Sequence, residues 1–191
     1  MEFLPILKLR LLNGWVYLAV FYGCFGLYLL SCSKAIVKKL YSVADWEKQY
    51  YKLSAIGKPF SVASLLLIVF SSIKFNTVLF WLGTFIYLAG FTIMFIALFT
   101  YRKTPADQAV RDGIYQYSRN PQWVGLVFIF IGTAMSCGNG LALLLSSIGI
   151  VLYHFRIQGE ESACLISYGQ SFQDYMDSVP RYFSLKRKKE R

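Results

Sequence analysis

The chain has 191 residues, of which 56% are hydrophobic and only 16% are charged. A soluble domain of this size is less apolar, so the composition indicates an integral membrane protein. The formal net charge of +10 would also suit a nucleic-acid-binding protein, but the Lys and Arg residues lie between and after apolar runs. They are better explained by membrane topology, and we expect no nucleic-acid partner.

The sequence does not support a metal site or a disulfide framework. Its four cysteines, Cys24, Cys32, Cys137 and Cys164, form no Cys-x-x-Cys pair, and the single histidine, His154, has no neighbour at metal-ligand spacing. We therefore predict no bound metal and interpret the cysteines as small apolar side chains.

The first half of the chain predicts three membrane spans. Residues 14–36 form an apolar run without the small-residue cleavage site of a signal peptide, and they are numerous enough to cross a bilayer. Residues 37–58 mix aromatic and charged side chains, which is typical of a segment in the headgroup region, although a polar loop is the alternative. We predict a second span over 59–73, with Pro59 in its first turn, and a third over 77–101. The two would form a helical hairpin.

The second half begins with a polar stretch, residues 102–121, and continues with an apolar run about twice as long as one crossing requires. The turn-forming residues 137–140 divide that run. The sequence therefore predicts a fourth span over 122–136 and a fifth over 141–157.

A tail helix is predicted over residues 158–180, because apolar residues recur there with helical spacing. Gly169 lies inside this predicted helix, and Pro180 would close it. The fold class expected from these elements is an all-α integral membrane protein. It would have five transmembrane helices and a cytoplasmic C-terminal helix, without a Rossmann domain.

Basic residues predict the orientation of these spans. The chain has 20 Lys and Arg residues. In a five-span arrangement, three of them lie on one side of the membrane, Lys8, Arg10 and Lys74, and all the others lie on the opposite side. Cytoplasmic loops carry the excess of positive charge. We expect a multi-pass protein whose N-terminus is outside and whose C-terminus is cytoplasmic, with the basic run 186–191 attracted to acidic lipids.

Residues 113–123, GIYQYSRNPQW, interrupt the apolar sequence with aromatic, guanidinium and amide groups. This mixture suits a flat, partly charged ligand. Pro121 can start the fourth span, which would leave first-turn N–H groups for a carboxylate. The alternative interpretation is an aromatic belt at the membrane interface.

Two charged residues at the end of the fifth span would face this loop, because both lie at the same membrane face. Arg156 and Glu160 are four residues apart, so a continuous helix would allow them to pair, and Glu161 follows them. The alternative is that these are helix-end charges that extend to the interface.

The order of these features resembles a known family. The pattern GIYQYSRNPQWVG, an apolar helical pair and then FRIQGEESACLISYGQSFQDYMDSVPR is similar to the C-terminal half of the isoprenylcysteine carboxyl methyltransferases, relatives of the phospholipid methyltransferases. The resemblance covers roughly residues 100–181, and the earlier residues resemble the family only as generic membrane spans.

The resemblance implies methyl transfer from S-adenosylmethionine, with S-adenosylhomocysteine as product, to the carboxylate of a lipophilic prenylcysteine at the cytoplasmic face. Residues 102–191 would form the methyltransferase core, with a cofactor loop over 102–121. The sequence lacks the Gly-x-Gly-x-x-Gly fingerprint of a Rossmann domain, as this implies.

Site residues are also implied by the resemblance. Arg156 would face the substrate carboxylate, and Arg156 and Glu160 would be catalytic. The cofactor would contact Asp107, Gln108, Ala109, Val110, Tyr115, Asn120, Pro121, Gln122, Trp123 and Glu160. Asn120 occupies the position where the family usually has histidine, and its amide cannot accept or donate a proton as an imidazole can. A carboxylate acceptor needs no such proton transfer, because it is already ionised at neutral pH.

Three alternative functions remain open from the sequence. A phospholipid or amine N-methyltransferase would need a base near Glu160 or Glu161. A sterol-reductase-like membrane enzyme would bind a nicotinamide cofactor instead. A membrane organiser without catalytic activity would bind neither cofactor.

Overall fold

The computed structural model describes residues 1–41, 48–105 and 108–183. Asp107, part of the predicted interfacial segment and the basic run 186–191 lie outside this described part.

The described residues form seven α-helices and one short 3-10 turn, and no β-strand is present among them, which confirms the all-α prediction. The helices are α1 Trp15–Leu30, α2 Lys34–Tyr41, α3 Lys48–Phe70, α4 Val78–Lys103, α5 Pro121–Ser136, α6 Gly140–Tyr168 and α7 Gln170–Ser178, with the 3-10 turn at Gly113–Gln116.

Three helices in the described part are long and apolar enough to cross a membrane. They are α3 from Gln49, α4 and α6. The apolar helices α1 and α5 have 16 residues each, so each is about 24 Å long, whereas the hydrocarbon core is about 30 Å thick.

Four of the helices pack in two pairs, α4 against α5 and α3 against α6. Glycines bring α4 and α5 into backbone contact: a Cβ atom at Gly132 would lie 2.5 Å from the Tyr87 nitrogen, and one at Gly90 would lie 2.6 Å from the Gly125 oxygen. Small residues allow helices to pack this closely in a membrane, where the lipid provides no hydrophobic driving force for helix association. The predicted hairpin of α3 and α4 is therefore wrong as a packed unit, because each helix packs against a partner from the second half.

Serines connect α3 and α6 inside the bundle. The hydroxyl of Ser64 lies 2.7 Å from that of Ser146 and donates to the Ala142 carbonyl at 2.9 Å. All of these groups are buried, and each has a partner, so the contact adds hydrogen bonds without leaving a polar group unsatisfied.

The prediction that the first span continues to residue 36 is wrong, because α1 ends at Leu30 and α2 is separate. Ser31 lies at the break, where its hydroxyl donates to the Tyr28 carbonyl at 2.7 Å and accepts from Arg102 at 2.9 Å. Serine side chains that bond the local backbone compete with helix continuation. The described parts of the predicted interfacial segment 37–58 are residues 37–41, which belong to α2, and residues 48–58, which already belong to α3.

Two predicted helix boundaries are also wrong. Pro59 does not start a helix but lies inside α3, where its missing N–H removes one hydrogen bond from a helix that packing against α6 supports. The helix α6 continues beyond residue 157 to Tyr168, and Gly169 ends it with φ of +56° instead of lying within a tail helix. Glycine adopts this conformation without the steric cost of a Cβ atom.

The predicted turn after Ser136 is present, since α5 ends there and α6 begins at Gly140. We call this region, together with the α3–α4 turn and the N-terminal residues that cross both, the closed end. Glu2 bonds to the backbone of Gly138 and Gly140 on one turn, and Lys8 N–H donates to the Phe70 carbonyl at 3.1 Å on the other. The N-terminal segment therefore ties the two helix pairs together.

Candidate active site

The loop before α5 is fixed by hydrogen bonds between tyrosines and neighbouring elements. Gly113 starts its 3-10 turn with φ of +58°. The Tyr175 hydroxyl on α7 donates to the Tyr115 carbonyl at 2.7 Å, and the Gln122 amide donates to the Tyr115 hydroxyl at 2.9 Å. Burial raises the pKa of Tyr115 and of Tyr175 well above the usual range, so both stay neutral hydrogen-bonding groups.

A buried carboxylate, Glu161, lies at the centre of an ionic cluster. Arg119 Nε and Nη2 lie 3.0 and 3.2 Å from its two carboxylate oxygens. Arg181 Nη2 lies 2.8 Å from Oε2, and the Asn120 amide donates to Oε1 at 3.0 Å. The side chains of Glu161 and Arg119 are only 5% and 9% exposed. We call these four residues the Glu161 cluster.

The Glu161 cluster joins three segments that are distant in sequence. Arg119 also donates to the carbonyls of Met176 at 2.6 Å and Val179 at 2.8 Å, and Asn120 donates to the Arg181 carbonyl at 3.2 Å. The loop, α6 and the C-terminal segment are thereby held in one arrangement. The sequence predicted that the loop containing Arg119 and Asn120 faces a ligand, and it did not predict that both residues contact Glu161. The available signals were the two adjacent glutamates, Glu160 and Glu161, and the Val-Pro-Arg sequence that ends at Arg181.

The predicted pair on α6 is present. Arg156 Nε donates to Glu160 Oε1 at 2.9 Å, and the Arg156 guanidinium lies 5.4 Å from the centre of the Tyr153 ring. Because α6 does not stop at residue 157, the spacing of four residues places both side chains on one helical face.

A cavity of about 830 Å³ lies beside the loop. Most of the residues predicted for the site line it together: Ala109, Val110, Tyr115, Asn120, Pro121, Gln122, Trp123, Arg156 and Glu160. Gln108 is not among the lining residues, and its carbonyl accepts from Lys39 at 2.6 Å. The structure thus gathers two predicted sets that are more than thirty residues apart in sequence.

The cavity also has walls that sequence reasoning missed. Aromatic residues of α1, apolar residues of α5 and residues of α2 and α7 also line it. These lining residues are Phe21, Tyr22 and Phe25 of α1, Lys38 and Lys39 of α2, Leu126 and Phe130 of α5, and Phe172 and Tyr175 of α7. Charged, polar and apolar side chains therefore line one space, which suits a ligand with a charged head and an apolar chain.

One prediction about the start of α5 needs correction. The N–H of Trp123 donates to the Asn120 carbonyl at 3.1 Å. This first-turn N–H group therefore already has a hydrogen-bond acceptor and is not available to the carboxylate of a ligand. Pro121 is the first helical residue, as predicted. Among the residues that the structure describes, no three His, Cys, Asp or Glu side chains are grouped in a way that could hold a metal ion.

Comparison with known proteins identifies the family. A sequence model described as phospholipid methyltransferase matches residues 61–171, which is more than half of the chain and includes α4, α5, α6 and the loop of the cavity. The chain belongs to the phospholipid methyltransferase family. Its long apolar helices suit a membrane protein, and the family resemblance found in the sequence is confirmed.

One curated relative of this family member is the Protein-S-isoprenylcysteine O-methyltransferase of Schizosaccharomyces pombe. It is 40% identical over 74 residues, which cover 37% of this chain and 30% of the relative. The chain thus covers less than a third of that protein's length. No solved structure matches the chain.

Proposed function

We propose that this protein transfers the methyl group of S-adenosylmethionine to the carboxylate of a prenylated cysteine. The observation that carries the proposal is that Arg156 and Glu160 line the same cavity as aromatic residues of α1. A prenylcysteine has the matching parts, a carboxylate and an apolar chain. The name of the yeast relative agrees with this acceptor.

The residues beside the loop fit an adenosyl cofactor. The cavity volume of about 830 Å³ is within the range of pockets that hold small ligands, roughly 300 to 1,000 Å³. Tyr115 and Trp123 offer aromatic faces, and Glu160 offers a carboxylate for ribose hydroxyls or for a positive charge. We infer that these residues hold the cofactor together with Ala109, Val110, Asn120, Pro121 and Gln122; Asp107 and Gln108, taken from the family resemblance, remain candidates.

The bound cofactor would supply a methyl group on a sulfonium, which a carboxylate can accept by in-line displacement without any proton transfer. Arg156 holds the acceptor carboxylate and leaves one oxygen to react, while Glu160 sets the orientation of Arg156 through their hydrogen bond. The apolar walls exclude water from the site. Asn120 is sufficient in this reaction, because no imidazole has to accept a proton.

We infer that α1, α3, α4, α5 and α6 all cross the membrane, with the bilayer thinned beside the shorter α1 and α5, and with the cavity and the C-terminus on the cytoplasmic side. The excess of Lys and Arg on that side supports this orientation. In this arrangement residues 1–101 form the first three spans, and residues 102–191 form the methyltransferase core. The prenyl chain would occupy the part of the cavity that apolar residues of α1 and α5 line.

Methylation of a phospholipid amine is the second candidate, favoured by the description of the matching family. That reaction needs a base to remove a proton from the amine. The oxygens of Glu161 are already engaged by Arg119, Arg181 and Asn120, and Glu160 accepts from Arg156. These contacts favour the carboxylate acceptor.

A methyl-transfer assay on the full chain in lipid nanodiscs tests the proposal. Labelled S-adenosylmethionine is offered with N-acetyl-S-farnesylcysteine or with phosphatidylethanolamine. We expect label in the prenylcysteine as a base-labile methyl ester. Label in the lipid amine alone would favour the second candidate, and purified protein that retains NADPH would favour a reductase.

A further inference from the structure

The short helix α2 borders the cavity, although it lies outside the part of the chain that the family resemblance covers. Ala35 and the last turn of the helix, Lys38, Lys39, Leu40 and Tyr41, line the cavity. The cavity therefore has a basic wall in addition to the loop and α6.

Lys39 fixes α2 against the loop. Its ammonium group donates to the carbonyls of Pro105 at 3.1 Å and Gln108 at 2.6 Å, and it lies 5.3 Å from the centre of the Tyr101 ring. These contacts hold α2 next to the residues that precede Ala109 and Val110. The position of the neighbouring Lys38 is therefore set by the fold.

The Lys38 ammonium group has a different role from the other cations at the cavity. Arg119 is paired with Glu161, and Arg156 is paired with Glu160. In the described part of the chain, no side chain or carbonyl forms an ion pair or hydrogen bond with the Lys38 ammonium group, and Lys38 is exposed at the cavity. Its charge is available to a ligand.

We propose that Lys38 binds the anionic oxygens of the acceptor's head group and thereby selects acceptors that carry a negative charge. This inference rests on the proposed methyl transfer at the same cavity. A lysine ammonium is a compact charge with three donors, suited to a carboxylate or a phosphate. In a prenylcysteine it would share the carboxylate with Arg156, and in a phospholipid it would bind the phosphate.

The first test compares Lys38→Ala with Lys34→Ala in the full chain in nanodiscs. Lys34 lies on the same helix but does not line the cavity, so it is a matched control for charge and for helix stability. We expect Lys38→Ala to raise the KM for N-acetyl-S-farnesylcysteine about tenfold, equivalent to the loss of one charge-assisted contact, with a smaller change in kcat. Lys38→Arg should recover most of this loss, and Lys34→Ala should match the original protein.

A second test measures charge selection directly. The carboxamide of N-acetyl-S-farnesylcysteine, tested as a competitive inhibitor, should bind the original protein about tenfold less tightly than the carboxylate, and Lys38→Ala should reduce this preference. The affinity of Lys38→Ala for S-adenosylhomocysteine, measured by calorimetry, should equal that of the original protein. Equal affinity would show that the variant is folded.

The outcomes separate this inference from the proposed function. If the original protein methylates phosphatidylethanolamine instead of the prenylcysteine, the proposed acceptor is wrong, and the same KM comparison is made with that lipid in place of the prenylcysteine. A tenfold rise for Lys38→Ala then supports phosphate binding. A KM within twofold of the original for whichever acceptor is methylated overturns the role of Lys38.

Discussion

The closed end differs from the region that holds the loop before α5, the Glu161 cluster and the cavity, which we call the cavity end. Both regions bury polar side chains, but they satisfy them differently. At the closed end the buried groups are neutral: Asn139 donates to Ser71 at 2.7 Å and accepts from the Ala142 N–H at 2.9 Å. At the cavity end the buried groups are ions, with Glu161 held by Arg119 and Arg181. Amides and hydroxyls cost less to bury than ions, so the closed end achieves its connections at lower cost.

The difference indicates what each end does. Neutral groups leave no charge for a ligand, and the closed end serves to fix the helix pairs; among its described residues, Asn13 Oδ1 is buried without a hydrogen-bond partner. At the cavity end, the paired ions of the Glu161 cluster hold the loop, and further charges on Arg156, Glu160 and Lys38 face open space. Burial of ions is costly unless they are well paired, so their concentration at this end indicates function more than stability.

The largest effect is expected at the cavity itself. Arg156→Ala and Glu160→Ala should each reduce turnover more than about 100-fold, as the loss of a group that positions reacting charge does. The fold should remain, because the pair is half-exposed and such pairs contribute at most about 1 kcal/mol to the free energy of unfolding. The check is methyl transfer at saturating cofactor, together with thermal unfolding.

Arg156→Lys serves as the companion variant and should recover little turnover, because lysine cannot form a two-pronged contact with a carboxylate. Near-normal turnover in either alanine variant would remove the assigned roles of Arg156 and Glu160.

The Glu161 cluster should show the largest effect on stability. Glu161→Gln keeps the size of the side chain but leaves Arg119 buried without its counter-charge, and we expect a loss of about 3 kcal/mol in the free energy of unfolding. Denaturant titration in detergent measures this loss. Glu160→Gln is the matched control and should lose less than about 1 kcal/mol, because its pair with Arg156 is half-exposed; equal losses for both variants would contradict the special role of the cluster.

At the closed end, Asn139→Ala should reduce stability by about 1 kcal/mol, since it removes the side chain that caps α6. Turnover per folded molecule should not change. Asn139→Asp retains the oxygen that accepts from Ala142 and should be closer to the original protein in thermal unfolding. A loss of turnover without a loss of stability would mean that the two ends are coupled, and the comparison would fail.

The smallest effect is expected for Lys74→Ala, also at the closed end. Lys74 Nζ lies 3.2 Å from Glu2 Oε1, and the two side chains are 37% and 60% exposed. Exposed ion pairs of this kind contribute at most a few tenths of a kcal/mol, roughly 0.2 to 0.5. A shift of the unfolding midpoint as large as that of Asn139→Ala would show that the N-terminal segment contributes more than its geometry indicates.

Local signals in the sequence predicted several elements because their causes are local. The turn-forming residues between Ser136 and Gly140 predicted the break between α5 and α6, and Pro121 predicted the start of α5. The prediction failed where packing overrode a local preference. Pro59 is tolerated inside α3 because α6 supports the helix, and Gly169 ends α6, after which α7 places Phe172 and Tyr175 at the cavity.

The candidate site shows the same division. The stretch from Gly113 to Trp123 and the pair of Arg156 and Glu160 could be named from the sequence, because residue types and spacing carry the family pattern. The partners of Glu161 and the contribution of α2 could not be named, because nothing near Lys38 in the sequence indicates which loop it will face. The position of Lys38 is set only in the folded protein, where Lys39 donates hydrogen bonds to the carbonyls of Pro105 and Gln108.

The sequence by itself determined the class of protein, the presence of several apolar helices, the polar loop before α5 and the membership of a methyltransferase family, because composition, turn residues and motifs act over short distances. The tertiary structure decided that α3 packs on α6 and α4 on α5, that Asn120 and Arg119 bind Glu161, and that Lys38 lines the cavity. Helix pairing depends on matching small residues across the bundle, and ion pairing depends on burial, so neither can be read from neighbours along the chain.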